Sequence, residues 1–425
     1  MTTGDHVPSD STIPFPKGLV LAPFRALRYS RAAATSPAGL LCPPYDVIDA
    51  AQQDALEHLE RHNAVHLILP RDDPSGPASR YRRAARTLRE WRSTGVLERD
   101  QLPGIYVYEM SSGAATTRGL LGTLALSGPD DGIVLPHENT MPGPVADRLA
   151  LTEATEANLE PIYLVYDGGP TAGELVAGVD STQPLTDIRA EDGQRHRLWA
   201  VTDPEQLRTL AAELYPAHAL IADGHHRYAT YLAHQAAQHG AGRGPGPWDF
   251  GLTYLVDARR FGPQVEAIHR IVPDLSLSDA RARLGPEFSS TAVAGPAAAA
   301  LQVLADAGRS GTAFVLTDGS DWQLIRRVPP AQPGRTLDQL DVTVAHRSLL
   351  EGCWRVPEDL VSYDHEAERA VAQVRNNGGL VLLLNATSVD QVAAVAADGD
   401  RMPRKSTLFT PKPATGIVFR TYDSD

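Results

Sequence analysis

The amino-acid sequence predicts an α+β fold, with mixed sheets and helices rather than a barrel or a doubly wound sheet. Three observations lead there. Strand-like and helix-like segments follow one another without the steady alternation that repeated βαβ units impose. The 425 residues are 42% apolar and 21% charged, enough for two or three packed domains. The most apolar short run, Gly379 to Ala386, falls far below the roughly 20 residues of a bilayer-spanning helix, so it reads as a buried strand.

The elements follow in order. Residues 1–17 are polar and proline-bearing and read as a loose tail, without the charged-then-apolar order of a signal peptide. Pro43-Pro-Tyr-Asp-Val-Ile is a rigid turn, because consecutive prolines fix φ. A helix is expected from about Asp49 to His62, and a strand over Val65–Leu69 that stops at Pro70. Residues 78–95 form a basic amphipathic helix in which six arginines surround Tyr81, Ala85, Leu88 and Trp91. Its plain reading is a solvated face rather than a nucleic-acid surface.

Ile105–Glu109 and Gly119–Leu126 read as strands joined by a hairpin-like connection. A helix over 144–158 and a strand from Pro161 follow. Residues 171–215 read as strand, turn, strand and helix, the last opened by Thr202-Asp-Pro. The strand at Ala219–Ala222 leads through Asp223-Gly-His-His-Arg into a helix that ends near Gln238. Beyond Arg270 come helices at 276–284, 297–307 and 337–350, a strand at 313–317, the strand at Gly379–Asn385, a helix near 389–397 and a closing strand at Gly416–Arg420.

Charge limits the function. Lys and Arg total 39 against 52 Asp and Glu, a formal charge of −13. Coating DNA or an anionic membrane needs a cationic surplus, so neither is an expected partner. Cys42 and Cys353 are too far apart in sequence for a metal knuckle and read as free thiols of a cytoplasmic protein. No Gly-x-Ser-x-Gly elbow, His-Glu-x-x-His helix or protein-kinase signature is present.

Four local features bear chemistry. The sharpest is Asp223-Gly224-His225-His226-Arg227 at a strand-to-helix junction. Helix-start amides and the positive end of the helix dipole favour an anion there, Gly224 permits close backbone approach, and Arg227 offers a bidentate fork. The plain alternatives are an N-cap for Asp223 and local packing for His225 and His226. The second is Leu135-Pro136-His137-Glu138-Asn139-Thr140, where Glu138 suits a general base or a metal carboxylate, and equally a solvated loop acid. The third is Met402-Pro-Arg-Lys405-Ser-Thr, running on to Lys412, whose cations could close over phosphate but which lacks the glycines of a P-loop. The fourth is Pro43-Pro44-Tyr45-Asp46, either a pocket wall or a structural turn.

Together with Pro23-Phe-Arg-Ala-Leu-Arg-Tyr, these ordered motifs resemble the successive signatures of the family called domain of unknown function 1015, over about residues 18–420. Asp223-Gly-His-His-Arg followed by a helix is, in addition, similar to the phosphate-binding box of the ParB/sulfiredoxin-like fold. That second resemblance implies a central nucleotide-binding core. Members of that superfamily bind ATP, ADP or CTP there, and some phosphorylate free L-serine with a glutamate from an earlier loop as base.

Carried onto this chain, the resemblance implies domains at 18–110 (α/β), 111–272 (the core, with an insertion between roughly 165 and 215) and 273–425 (α+β). It implies a small-molecule kinase that uses Mg²⁺ and ATP or ADP, with serine the favoured acceptor. Glu138, Asp223 and His226 would be catalytic. Gly224, His225, His226, Arg227 and Lys405 would hold phosphates. Tyr45, Asp46, His137 and Thr140 would line the acceptor pocket, and Asp223 and Glu138 would face the metal. The remaining length is expected to build the acceptor pocket, a lid and any homo-oligomer contacts. The alternatives are a non-catalytic nucleotide-binding switch of the ParB type and a sulfinic-acid reductase, the latter disfavoured because a histidine stands where its cysteine is needed.

Overall fold

The computed structural model describes residues 16–31, 33, 36–72, 76, 79–113, 115–328 and 334–423, so all but the end of the tail expected at 1–17 lies outside the described residues. The fold is α+β with mixed sheets, as the patterning predicts. The backbone divides into two compact units, one of residues 1–134, 140–262 and 411–425, the other of 135–139 and 263–410.

The first unit is built on a mixed sheet whose neighbouring strands include Ala219–Asp223, Ile162–Tyr166, Phe250–Asp257, Ala115–Ala125, Ile105–Ser112, Arg195–Val201 and Thr186–Arg189, in that spatial order. Phe250–Asp257 runs parallel to Ile162–Tyr166 and antiparallel to Ala115–Ala125. Ile162–Tyr166 is buried along its whole length, as suits a strand covered on both faces. One apolar core gathers Leu120, Leu164, Trp199, Leu210, Ile221 and Tyr228; a second gathers Ala64, Ile68, Leu88, Trp91, Leu151 and Phe419.

Helix starts follow the local chemistry. Asp49 and Gln52 form a reciprocal capping box ahead of Ala50–Leu59. Asp203 accepts from the amides of Glu205 and Gln206, both at 2.9 Å, with Pro204 opening the helix Pro204–Leu214. Ser79–Ser93 buries Ala84, Ala85, Leu88 and Trp91, while Arg80 and Arg92 pair with Asp147 and Asp423.

Three expectations are corrected in this unit, and one strand carried none. Val65–Ile68 is a helical turn, not a strand, because the Asn63 side chain accepts from the Val65 amide at 2.8 Å and donates to the carbonyls of Gly39 and Leu41. A short buried apolar run is ambiguous by pattern alone. The segment from 171 opens with a helix, Pro170–Gly178, whose first amides are received by the Glu213 carboxylate. The closing strand shrinks to Arg420–Thr421, paired with Ala157–Asn158, preceded by a single bridge from Phe419 to Leu27. The central strand Phe250–Asp257 carries no prediction at all.

The second unit is built on an antiparallel sheet, in the order Phe288–Val293, Trp322–Arg327, Ala313–Thr317, Leu380–Leu384, His269–Val272, Ser362–Asp364. Its core includes Leu304, Val315, Val371 and Leu383. The predicted strands at 313–317 and 380–384 and the helix at 389–397 stand where expected. The helix expected at 337–350 is broken into short turns and then a π-helical segment, Val344–Cys353. Both cysteines are free thiols, and Cys42 is buried. Among the described residues no helix is long and apolar enough to cross a membrane.

Candidate functional site

In the first unit, the Asp223-Gly-His-His-Arg box joins the strand Ala219–Asp223 to the helix His225–Gly240. Gly224 is the N-cap and takes φ +94, a left-handed conformation that glycine adopts without penalty; a Cβ there would sit 3.1 Å from Arg227 Nε. The helical ladder begins with the Tyr228 amide donating to the Gly224 carbonyl at 2.9 Å, so the amides of residues 225–227 precede it at the positive end of a 16-residue helix.

Asp223 is not the N-cap. Its carboxylate is buried and receives Arg227 on one oxygen and Lys412 on the other. Burial works against its ionisation, but Lys412 and Arg227 outweigh it and hold the carboxyl below its ordinary range. The Arg227 guanidinium also donates to the Pro161 carbonyl, while its Nε, fully buried, has no partner. Lys412 Nζ lies 3.7 Å from Asp46 Oδ2, so the sequence-predicted Asp46 stands beside Asp223. Tyr45 donates its amide to Glu160 Oε1 at 3.0 Å, and its ring lies under the Arg148 guanidinium at 4.3 Å. Burial pushes the Tyr45 hydroxyl up to about 12.

Glu160 and Arg148 stand outside the site residues expected from the sequence, and Lys412 enters there only as the end of the third motif. Glu160 is buried, accepts from Thr415 Oγ1 at 3.1 Å, and is raised above the ordinary glutamate range by burial, against the pull of Arg227 and Arg148. Its one sequence signal is an acid placed directly before Pro161 and a wholly apolar strand. His226 is half-buried and its Nε2 accepts the Met141 amide at 3.0 Å, which ties the start of the helix Pro142–Thr155 to the box. His225 is buried, and Thr140 is exposed.

The remaining predicted residues belong to the second unit. There the motifs around His137 and Lys405 dock on each other. The His137 carbonyl accepts from the Met402 amide at 2.8 Å, and His137 Nε2 meets Thr407 Oγ1 at 3.0 Å. Glu138 Oε1 accepts from the Lys405 amide at 3.3 Å. Lys405 takes φ +55, unusual for a residue with a Cβ, and its carbonyl accepts from Arg270 at 3.1 Å. Arg270 is wholly buried beside His346 Nε2 at 3.2 Å and the Tyr363 ring, and burial lowers it to about 10. Lys405 and Glu138 are thus neighbours, and the lysine that reaches Asp223 is Lys412.

The donors of the first unit suit a polyanion: a glycine cradle at a helix start, a buried arginine with an unpartnered N–H, and a lysine. A resident metal centre is a different matter. Among the described residues no group of three or more His, Cys, Asp or Glu side chains is arranged so that it could hold a metal ion.

Several solved structures are similar to the chain at low identity and low TM-score. A free serine kinase mutant in complex with AMP matches at 15% identity and TM-score 0.36, covering 72% of this chain and 88% of that one. A conserved hypothetical protein from Pyrococcus furiosus matches at 14% identity and TM-score 0.35, covering 71% of this chain and 94% of that one. A C-terminally truncated SbnI from Staphylococcus aureus matches at 12% identity and TM-score 0.35, over 70% and 86%. No curated protein matches the chain. The family model DUF1015, described as a protein of unknown function, covers residues 21–343, well over half the sequence, and the chain belongs to that family.

Proposed function

We propose that the protein is a nucleotide-dependent phosphotransferase acting on a small hydroxyl acceptor, with free L-serine the favoured acceptor and ATP or ADP the donor. One observation carries the reading: the left-handed Gly224 at the start of a long helix, with Arg227 and Lys412 converging on Asp223 beside it. Such a cradle neutralises phosphate charge and fixes its position, which is most of what phosphoryl transfer asks of a protein.

In this reading Gly224, His225, His226 and Arg227 hold the donor phosphates, and Lys405 acts from the C-terminal segment. Tyr45, Asp46, His137 and Thr140 shape the acceptor site. The acceptor hydroxyl oxygen bonds to the terminal phosphorus as the bond from that phosphorus to the leaving phosphate oxygen breaks; Glu138 takes the hydroxyl proton. Mg²⁺ bound with the nucleotide would supply charge neutralisation on the phosphates, with Asp223 or Glu138 as the carboxylate that would hold it.

The test is to incubate the purified chain with Mg²⁺, L-serine and either ATP or ADP, and to follow O-phosphoserine by mass spectrometry. Product with the wild type and its loss in Glu138→Ala support the reading. No product from any common hydroxy amino acid, or full activity in Glu138→Ala, overturns it. Thermal stabilisation by nucleotide without turnover would indicate a binding switch instead.

A further inference from the structure

Lys412 belongs to the first unit and lies between two prolines, Pro411 and Pro413, whose fixed φ stiffens the backbone on either side. The segment behind it is pinned. The Thr415 amide donates to the Cys42 carbonyl at 2.8 Å and the Cys42 amide returns a bond to Thr415 at 3.2 Å, while the Ala414 amide donates to Tyr108 Oη at 3.3 Å. This anchoring sets the lysine next to the Pro43-Pro44-Tyr45-Asp46 turn and aims its ammonium at Asp223.

The charged groups around that ammonium are Asp223, Asp46 and Arg227. The two cations differ in kind. Arg227 is rigidly held by Asp223 and the Pro161 carbonyl and is almost wholly buried. Lys412 is a flexible point charge whose side chain keeps 17% exposure, between a buried carboxylate and the 38% exposed carboxylate of Asp46. The Nε of Arg227 is buried without a hydrogen-bond partner beside Gly224, 3.1 Å from where a Cβ on that residue would sit.

We infer that Lys412 is a phosphate-contacting residue of this site: its ammonium turns from Asp223 and Asp46 to the oxygens of a di- or triphosphate held at the His225–Gly240 helix start. The inference rests on the nucleotide reading for the identity of the ligand, and on the charge geometry alone for the role of the lysine.

The experiment measures binding of ADP, pyrophosphate and adenosine to the full chain by calorimetry, in wild type, Lys412→Ala, Lys412→Arg and Lys412→Gln. The expected result is a loss of about tenfold or more for ADP and pyrophosphate in Lys412→Ala, recovery in Lys412→Arg, and no change for adenosine. Lys412→Gln keeps the stem and a donor for Asp223, so it reports on charge if the alanine variant does not fold. Equal ADP and pyrophosphate affinity across the variants makes Lys412 a structural counter-ion and overturns the inference while leaving the kinase reading intact. Lysine-dependent binding of pyrophosphate without any binding of ADP sustains Lys412 and overturns the nucleotide reading. A wild type that binds neither overturns both.

Discussion

Lys412 and Asp223 are separated by 189 positions in the chain, yet the ammonium of one is paired with the buried carboxylate of the other. Arg227 takes the other carboxylate oxygen from within one helical turn. A buried carboxylate between two cations, with Gly224 between it and the helix, is the structural centre of the first unit's candidate site.

Replacing Asp223 with Asn removes the negative charge and leaves two cations packed together. We expect a loss of about 3 kcal/mol or more, measured by urea denaturation at pH 7. The sign with pH follows from the depressed carboxyl. Its contribution is fully present above the unfolded value near 4 and is lost as pH falls through the lower folded value, so Asp223→Asn flattens the acid limb of the stability curve. An acid limb identical to wild type would contradict this.

Gly224→Ala places a Cβ on a backbone at φ +94 and brings it to 3.1 Å from the Arg227 guanidinium. The left-handed conformation alone costs roughly 1–2 kcal/mol. The expected outcome is a lowered melting temperature together with weaker nucleotide binding. A variant as stable as wild type, with unchanged affinity, would show that the left-handed turn is not needed.

Glu138→Gln keeps an acceptor for the Lys405 amide but removes the carboxylate that the proposed reading makes the base. On the proposed reading, turnover falls by about 10² to 10⁴ while nucleotide affinity stays within about twofold. Stopped-flow transfer rates and calorimetric titrations separate the two effects. A parallel loss of both would assign Glu138 to folding or binding.

In the second unit, burial, and secondarily the charge of Arg270, hold both His269 and His346 down to about 4. Unfolded histidine titrates near 6.5, so each binds fewer protons folded than unfolded across that interval. Their contribution is complete above about 6.5 and is lost as pH falls towards 4, each at up to about 1.4 kcal/mol per pH unit. His346→Gln preserves an acceptor for Arg270 and should reduce the slope by one proton. Urea midpoints of the full chain at pH 7, 6 and 5 test this; an unchanged slope refutes it.

Several features set by short spacings match the local reading. Arg227 stands in the first turn of the helix that follows the strand ending at Asp223, Asp203 caps the helix that Pro204 opens, and the all-apolar Leu380–Leu384 is a buried strand. These features depend on spacing of a few residues and on backbone preferences that each residue carries with it. The assignments that failed locally were runs whose pattern fits two structures. Val65–Ile68 became helical because Asn63 could reach Gly39 and Leu41, and Phe250–Asp257 was masked by the Gly- and Pro-rich loop before it.

The sequence by itself determined the α+β class, several helix starts and the strand-to-helix junction at Asp223–Arg227. Only the tertiary structure decided that Lys412 rather than Lys405 meets Asp223, that Glu160 is buried beside Tyr45, and that Arg270 supports Lys405. The reason is physical. Local rules extend over a helical turn or a hairpin, whereas pairing across 115 to 189 residues depends on which apolar faces pack together, and no spacing in the chain records that choice.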